Sequence, residues 1–300
     1  MLPLNNTTTI SLSPVNQFAG LFFDPIMVQT VPDPEFSARG VDLKVVRFDQ
    51  MDLLTGGNKW FKLAPYLNLA RERGIRSLLS FGGAYSNHIA ALAAAGQRYN
   101  FKTTGIIRGE VVANTTLHRA QSQGMKLHFL SRSLYRELRD NLQHPYLDNF
   151  QDDLIIPEGG GGALGMEGAA MMHDYIPMDA DHLLLAAGTG TTAAGISKKL
   201  LPHQQLHCIN VAANALAINS MFSVDTVQVY EEYHFGRYAR ITAELDVFCR
   251  DFSTRYAIPL EPVYTGKAMF GAYDLLRKGA FEAGSKLYFL HTGGLQYQNS

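Results

Sequence analysis

The sequence predicts an α/β fold with a mostly parallel sheet covered by helices on both faces. From Val41 onward, short β-branched or apolar runs alternate with stretches of helical spacing. Several of these runs end in glycine-rich turns that open helices, and open α/β sheets bind ligands at such strand ends. The chain has 300 residues, of which 46% are hydrophobic and 18% charged. This is the composition of an ordinary globular protein with two domains or one large α/β unit.

The individual elements follow from local patterns. The run VDLKVVRFD at 41–49 alternates as a strand does. Residues 58–74 predict a helix because Trp60, Leu63 and Leu67 recur at helical spacing and Gly74 ends the pattern. A strand at 77–81 precedes a helix at 86–95, and further strands are predicted in TTGIIRG, KLHFLS, DLIIP, HLLLAAG, LHCINVAA and KLYFLHTGG. This alternation favours crossover connections and therefore parallel pairing.

Charge and composition exclude several classes of function. A net charge of −1 carries no electrostatic signature of binding to nucleic acid or to an anionic membrane. No stretch reaches the roughly 18 apolar residues of a membrane span, and residues 1–18 lack the pattern of a secretory signal. Cys208 and Cys249 are too few for a disulfide framework and lack metal-ligand spacing. We expect a cytoplasmic protein with free thiols and no metal.

Lys59, in the segment TGGNKWFKLAPYLNLA, is the residue with the clearest chemical potential. A lysine at a helix start after Gly-Gly-Asn points inward, and lysine amines form Schiff bases with carbonyl cofactors such as pyridoxal phosphate. Lys62 lies three residues later on the same helix face. Two adjacent ammonium groups are costly, which favours a neutral amine on one of them. A solvated basic face is the usual meaning of such a pair, and the Gly-Gly-Asn turn favours the cofactor instead.

Two other segments have the composition of anion-binding turns. AAGTGTTAAG at 186–195 follows an apolar strand, so its backbone N–H groups and threonine hydroxyls can bind a phosphate. It matches neither a Walker loop nor G-x-G-x-x-G, and a plain small-residue helix start remains an alternative. In GGAYSNHIAALAAAG at 82–96, Ser86 or Asn87 caps the next helix. The same N–H groups can hold a substrate carboxylate, while His88 is a buried structural histidine, a substrate contact or both, and the first is favoured.

The glycine run EGGGGALG at 158–165 allows two interpretations. Glycine serves both a hinge between two halves of the chain and a tight turn from a strand into a helix. The sequence does not distinguish them.

Six motifs together resemble a known family. In order, GGNKWFKL, GGAYSNHIAALAAAG, IPEGGGGALGMEG, AAGTGTTAAG, PVYTGKAMFG and LHTGG resemble the 1-aminocyclopropane-1-carboxylate deaminase/D-cysteine desulfhydrase family, over roughly residues 40–295. These are pyridoxal-phosphate enzymes of the tryptophan-synthase-β fold, fold type II. The resemblance implies two three-layer α/β/α domains: a larger cofactor-binding domain of residues 1–61 plus 161–300, and a smaller domain of residues 62–160. It also implies a small amino-acid substrate and a homodimer.

The resemblance implies a role for each matching residue. Lys59 holds pyridoxal 5'-phosphate as a Schiff base and abstracts the α-proton, and Asn87 hydrogen-bonds the phenolic oxygen. Ser86 faces the substrate as a catalytic residue, and Tyr238 and Tyr264 line the site and assist at the leaving group. The phosphate is bound by Lys62 and by the loop Gly188, Thr189, Gly190, Thr191 and Thr192.

The chain also departs from the family pattern. The run VVRFDQMDLLT replaces the basic residues and acidic pair that usually precede GGNK, so the loop at 50–54 is divergent. Phe61 stands where the family has an arginine. Gly161 and Gly162 stand where desulfhydrases often have Ser-Asn, which predicts looser substrate selectivity.

Two threonines favour one branch of the family. Deaminases have a glutamate directly after the PVY tyrosine and a leucine before the final Gly-Gly, whereas this chain has Thr265 and Thr292, as desulfhydrases do. A carboxylate beside the pyridine nitrogen favours its protonated form, the strong electron sink that cyclopropane opening needs. The hydroxyl of Thr265 or Thr292 can instead bind the cofactor by donating to an unprotonated ring nitrogen, which suffices when a good β-leaving group departs as the α-proton is removed. The sequence therefore predicts α,β-elimination from D-cysteine to pyruvate, ammonia and hydrogen sulfide. The alternatives are deamination of 1-aminocyclopropane-1-carboxylate to 2-oxobutyrate and ammonia, and a non-catalytic cofactor-binding protein.

Overall fold

The computed structural model describes residues 25–51, 57–212, 218–222, 225–237 and 239–294, together with the backbone of 10–12. The described strands are β1 (Ile10–Leu12), β2 (Ile26–Thr30), β3 (Asp42–Arg47), β4 (Ser77–Gly83), β5 (Lys102–Arg108), β6 (Lys126–Leu130), β7 (Asp153–Ile156), β8 (His182–Ala187), β9 (Gln205–Asn210), β10 (Val227–Tyr230) and β11 (Lys286–Leu290). The described α-helices are α1 (Pro34–Ala38), α2 (Asn58–Glu72), α3 (Asn87–Tyr99), α4 (Thr115–Ser122), α5 (Arg132–Asp140), α6 (Gly162–Ala170), α7 (Thr191–Ser197), α8 (Ala243–Tyr256) and α9 (Thr265–Arg277).

The strands form two sheets. The larger sheet has the order β1-β2-β3-β11-β8-β9-β10, with antiparallel pairing only where β2 meets β1 and β3. Its central strand is β11, whose Phe289 lies opposite Val45 of β3 and Leu184 of β8. All three side chains are buried, as expected for parallel strands with helices on both faces. The smaller sheet has the order β6-β5-β4-β7 and is parallel throughout.

Helix α6 packs with its backbone directly against two other helices. A side chain at Gly168 would lie 2.0 Å from the Phe61 carbonyl oxygen of α2, and one at Gly195 of α7 would lie 2.5 Å from the Met166 carbonyl oxygen. Glycine is therefore required at both contacts. This close packing holds α2 in place, and Lys59 lies in the first turn of that helix.

The predicted fold class is confirmed, and most predicted elements lie where the sequence indicated. The short strands β1, β2 and β10 were missed. The glycine run forms a turn from β7 through a 3-10 segment, Glu158–Gly160, into α6. The small-sheet strands all lie within residues 77–156, and the domain boundaries near residues 61 and 160 stay a prediction. None of the described helices is long and apolar enough to cross a membrane.

Two buried histidines of the large sheet form a hydrogen-bonded chain. The Tyr230 hydroxyl donates to Gln228 Oε1, so its oxygen accepts a hydrogen bond from His207 Nδ1–H at 2.9 Å. His207 Nε2 therefore accepts from His182 Nδ1 at 3.1 Å. Adding a proton to His207 would place two N–H groups against each other. Burial, with a contribution from His182, lowers the pKa of His207 to about 3.

This lowered pKa predicts a loss of stability in acid. The folded protein keeps His207 neutral, so the stabilising contribution is present above the unfolded pKa of about 6.5 and is lost as the pH falls from there towards about 3. The difference amounts to about 2 kcal/mol at pH ~5. His207→Asn should lower the free energy of urea unfolding near pH 7 but flatten its decline to pH ~5. His118→Gln, at an exposed position, should keep the parent slope, and an unchanged slope in His207→Asn would contradict the argument.

Candidate active site

The carboxyl ends of strands from both sheets border one cavity of about 810 Å³. Its size is that of a site for a small molecule. The cavity is lined by most of the predicted site residues: Lys59, Lys62, Ser86, Asn87, Gly188, Thr189, Gly190, Thr192, Tyr264 and Thr292. Thr191 and Thr265 do not line it, and Tyr238 lies outside the described residues.

A close backbone contact positions the start of α2. Gly57 has φ +76°, and its N–H donates to the Phe48 carbonyl at 2.9 Å. The next N–H, that of Asn58, donates to the Thr292 carbonyl at 3.1 Å. A Cβ on residue 57 would lie 2.0 Å from this same carbonyl oxygen. The glycine before the lysine motif is therefore required both by its conformation and by the approach of the chain after β11.

Asn58 connects Lys59 with the loop after β8. The Asn58 amide donates to Thr192 Oγ1 at 2.8 Å, and its Oδ1 accepts from Lys59 Nζ at 3.1 Å. The Asn58 side chain is buried, whereas that of Lys59 is half-buried at the cavity wall. The Asn58 side chain thus connects the Lys59 amine with the threonine-rich turn. The motif predicted a turn at Asn58 but not this link.

Both lysines lie in surroundings that disfavour charge. Burial lowers the pKa of Lys59 to about 8. The pKa of Lys62 is lowered further, by burial and by the nearby Lys59. Among the described residues, no carboxylate lies within ion-pair distance of either amine. Two such amines are complementary to one reactive carbonyl and one anionic group.

The segment after β4 presents three consecutive polar side chains. Ser86 Oγ accepts the Ile89 N–H at 3.3 Å and caps α3. Asn87 Oδ1 is buried and has no hydrogen-bond partner within the described part of the chain. The Ser80 hydroxyl donates to the Ile156 carbonyl at 2.8 Å, so it accepts from His88 Nε2 at 2.8 Å. His88 is therefore the Nε2–H tautomer, and its Nδ1 also lacks a partner among the residues described.

His88 has a structural role and also borders the cavity. Its pKa is held well below the usual value by burial and by the neighbouring charges of Lys62 and Lys59. The side chain is fully buried yet forms part of the cavity wall. The two interpretations that the sequence left open are thus compatible.

The turn after β8 is formed by small and hydroxyl residues. Gly190 has φ +80° and begins α7, and Thr189 Oγ1 lies 3.1 Å from Thr191 Oγ1. The ring of Tyr264 lies against Gly188, where a Cβ would be 3.1 Å from the ring. The turn therefore presents backbone N–H groups and hydroxyls to the cavity beside a tyrosine.

A buried carboxylate that sequence reasoning missed lies at the start of α9. Glu261 accepts backbone N–H bonds from Val263, Tyr264 and Thr265 at 2.7–2.8 Å. Burial raises its pKa to about 7, although these bonds act in the opposite direction. Thr265 Oγ1 lies 3.4 Å from this carboxylate and accepts the Glu261 N–H at 3.1 Å. The Thr265 hydroxyl therefore faces Glu261 rather than the cavity, whereas Thr292 forms part of the cavity wall.

Three positions that depart from the family pattern, Phe61, Gly161 and Gly162, lie away from the cavity wall. Phe61 is in the hydrophobic core, and neither Gly161 nor Gly162 lines the cavity. The Gly161 carbonyl instead accepts from the Tyr66 hydroxyl at 2.5 Å. Residues 52–54 of the divergent loop lie outside the described residues.

Comparison with known proteins accounts for this geometry. A family model described as pyridoxal-phosphate dependent enzyme matches residues 34–293. The chain belongs to this family. A Pyrococcus horikoshii protein provisionally named a 1-aminocyclopropane-1-carboxylate deaminase is 29% identical to this chain, and the alignment covers 85% of each protein. An Arabidopsis thaliana protein named a bifunctional D-cysteine desulfhydrase/1-aminocyclopropane-1-carboxylate deaminase is 27% identical, covering 85% of this chain and 73% of that one. A solved structure titled as an ACC deaminase homologue aligns over 93% of this chain and 91% of that one, with a TM-score of 0.77 and 26% identity.

The family membership makes the chain a pyridoxal-phosphate dependent enzyme and confirms the predicted resemblance. The residues present fit the cofactor. The cavity wall combines the amines of Lys59 and Lys62, which have no carboxylate partners in the described structure, the side-chain NH2 of Asn87 as a donor, and a turn rich in N–H groups and hydroxyls. A carbonyl, a ring oxygen and a phosphate group are the features that these donors and acceptors suit.

The Gly57 contact predicts a selective loss of stability. Gly57→Ala places a methyl group 2.0 Å from the Thr292 carbonyl oxygen, so the turn and the chain after β11 must move apart. We expect the free energy of unfolding to fall by about 3 kcal/mol or more, with weakened cofactor binding. Gly74→Ala is the matched control at the other end of α2: it has φ +69° with nothing within 4 Å. It should cost only the left-handed penalty of about 1–2 kcal/mol, and equal losses in the two variants would contradict the steric argument.

Proposed function

We propose that the chain catalyses α,β-elimination from a small amino acid with a good β-leaving group, and that D-cysteine is the best substrate. The products are pyruvate, ammonia and hydrogen sulfide. The observation that carries this proposal is Lys59: a desolvated amine, hydrogen-bonded by Asn58, in a cavity of the right size. When bound, pyridoxal phosphate supplies electron withdrawal from the α-carbon of an attached amino acid.

Lys59 has two tasks in this proposal. Its amine would hold the cofactor covalently, and as a free amine it would accept the α-proton of the substrate. Both tasks need a neutral amine. With a pKa of about 8, the neutral Lys59 amine is far more populated near neutral pH than that of an ordinary lysine, whose pKa is about 10.4. Burial therefore supplies the base that the reaction requires.

The other residues bind and orient. Lys62 and the Gly188–Thr192 turn hold the phosphate, since its charges offset the cost of burying a protonated amine. The side-chain amide of Asn87 hydrogen-bonds the phenolic oxygen of the cofactor ring. Ser86 and the N–H groups that begin α3 hold the substrate carboxylate, and Tyr264, beside Gly188, protonates the leaving group.

The choice of D-cysteine rests on Thr292 and Thr265, and Glu261 qualifies it. Thr292 offers a hydroxyl at the cavity wall. The Thr265 hydroxyl, however, lies 3.4 Å from the carboxylate of Glu261. A carboxylate is therefore present near this helix start in the chain as well, although Thr265 replaces the glutamate of the deaminases. Three backbone N–H bonds direct that carboxylate to the helix rather than to the cavity. Elimination of a thiol stays our first choice, and 1-aminocyclopropane-1-carboxylate deamination is the alternative, since the Arabidopsis relative is named for both.

A cytoplasmic homodimer is a further part of the proposal. Both cysteines are buried and free, which suits a reducing compartment. Light scattering of the cofactor-loaded protein tests the oligomeric state, and a monomeric mass would refute the dimer.

Lys59→Ala tests the covalent attachment. Without this amine, the visible absorbance of the attached cofactor should disappear, and pyruvate release should fall by about 10²–10⁴-fold, the usual value of one positioned proton-transfer group. Lys126→Ala, at an exposed position of β6, should keep both. If Lys59→Ala retains the parent absorbance, another residue attaches the cofactor.

A side-by-side assay tests which of the two candidate substrates the enzyme prefers. The purified enzyme is given D-cysteine and 1-aminocyclopropane-1-carboxylate in turn, with pyruvate and 2-oxobutyrate measured separately. Because a thiol leaves without a strong electron sink, we expect kcat/KM for D-cysteine to be at least about tenfold higher, a difference of about 1.4 kcal/mol in transition-state stabilisation. Production of 2-oxobutyrate alone would establish the alternative, and release of neither acid would favour a non-catalytic cofactor-binding protein.

A further inference from the structure

Helix α5 turns a positively charged face to the cavity. Arg132, Tyr135, Arg136 and Arg139 occur at i, i+3, i+4 and i+7, which places them on one side of a helix. All four line the cavity that contains Lys59. The face is therefore part of the candidate active site, although no motif in the sequence indicated it.

Neighbouring residues hold this face in place. The Tyr135 hydroxyl is buried and donates to Glu158 Oε1 at 2.7 Å, and the guanidinium of Arg108 lies 5.9 Å from the centre of the Tyr135 ring. Arg139 lies 3.7 Å from Glu158 Oε2 and 2.7 Å from Asp140 Oδ1. Arg108, at the end of β5, also lines the cavity. The helix and the strand end thus form a single ordered wall.

The charges on this wall are not balanced. Six basic side chains line the cavity, and Glu158 is the one carboxylate among its described lining residues. The proposed function assigns the two lysines to the cofactor, and Arg139 is already paired. In the described part of the chain, Arg108, Arg132 and Arg136 form no ion pair within 4.0 Å. The whole chain has a net charge of −1, so the positive charge is a local feature.

We propose that Arg108, Arg132 and Arg136 form a subsite for a second anionic group, carried by the side chain of acidic amino acids that the cavity accepts in addition to D-cysteine. The proposal rests on the proposed function in that an amino acid occupies the cavity. The α-carboxylate is already assigned to the start of α3, which leaves three guanidinium groups for another oxyanion. Guanidinium matches a carboxylate, sulfonate or phosphonate with paired hydrogen bonds. A small neutral amino acid such as D-cysteine leaves this subsite empty.

Calorimetric titration of the cofactor-loaded enzyme tests the subsite. The probes are racemic aspartate, asparagine and 2-amino-3-phosphonopropionate, none of which carries a leaving group. Aspartate and asparagine match in size and differ in charge. We expect the two anionic probes to bind about tenfold more tightly than asparagine. The preference should shrink in ~0.5 M salt because the arginines are exposed.

Two double variants test whether the preference for anionic probes depends on the charge of the subsite or on the overall charge of the protein. R132Q/R136Q should reduce the preference to about threefold or less, since each charged hydrogen bond contributes strongly. R119Q/K126Q removes the same charge from exposed positions outside the cavity lining and should keep the preference. The visible absorbance of the cofactor is recorded for each variant to show that the site remains loaded.

Pyruvate release from D-cysteine is measured in parallel, so that the two proposals fail separately. Equal binding of aspartate and asparagine, or a preference that survives in R132Q/R136Q, overturns the subsite whatever the catalytic result. A preference that depends on the arginines, without any pyruvate release, supports the subsite and refutes D-cysteine elimination.

Discussion

The site depends on one contact between distant parts of the backbone, where the turn at Gly57 meets the carbonyl of Thr292. This contact determines where α2 begins, and thereby where the Lys59 and Lys62 amines lie. Asn58 then joins the same point to Thr192 on the turn after β8. Three segments that are remote in sequence thus share one hydrogen-bonded junction, and the packing of α6 on α2 and α7 supports it from below.

The electrostatics of the cavity follow from this burial. Desolvation favours neutral amines in the protein alone, while an anion beside Lys62 would favour the charged form. Phosphate binding and protonation of Lys62 are therefore thermodynamically linked. Lys59, with a pKa of about 8, has a neutral and nucleophilic fraction near physiological pH. The surroundings of both lysines thus disfavour charge, and only an anion bound beside Lys62 would set the two amines apart.

Much of the fold could be predicted because its central strands are apolar runs buried on both faces, as in HLLLAA of β8 and KLYFL of β11. The runs of β2 and β10, IMVQT and VQVY, were missed because they are short and half-exposed.

The site was less accessible to sequence reasoning because its links are non-local. The bond from Asn58 to Thr192 spans 134 positions and has no local signature. Glu261 did have one, since an acid within four residues of a helix start can accept its first N–H groups. The arginine spacing on α5 was also readable, but which way the helix faces depends on the burial of Tyr135 and Leu138.

The position of β11 has a consequence for synthesis of the protein on the ribosome. The last strand described in the chain is the middle strand of the large sheet, between β3 and β8. Until residues 286–290 emerge, β3 and β8 each present an unpaired parallel edge, and the carbonyl that receives the Asn58 N–H does not yet exist. A nascent chain can complete its small sheet, at 77–156, but not its cofactor site. Cofactor loading therefore waits for residues 286–292, and until then the unpaired edges of β3 and β8 expose the nascent chain to aggregation.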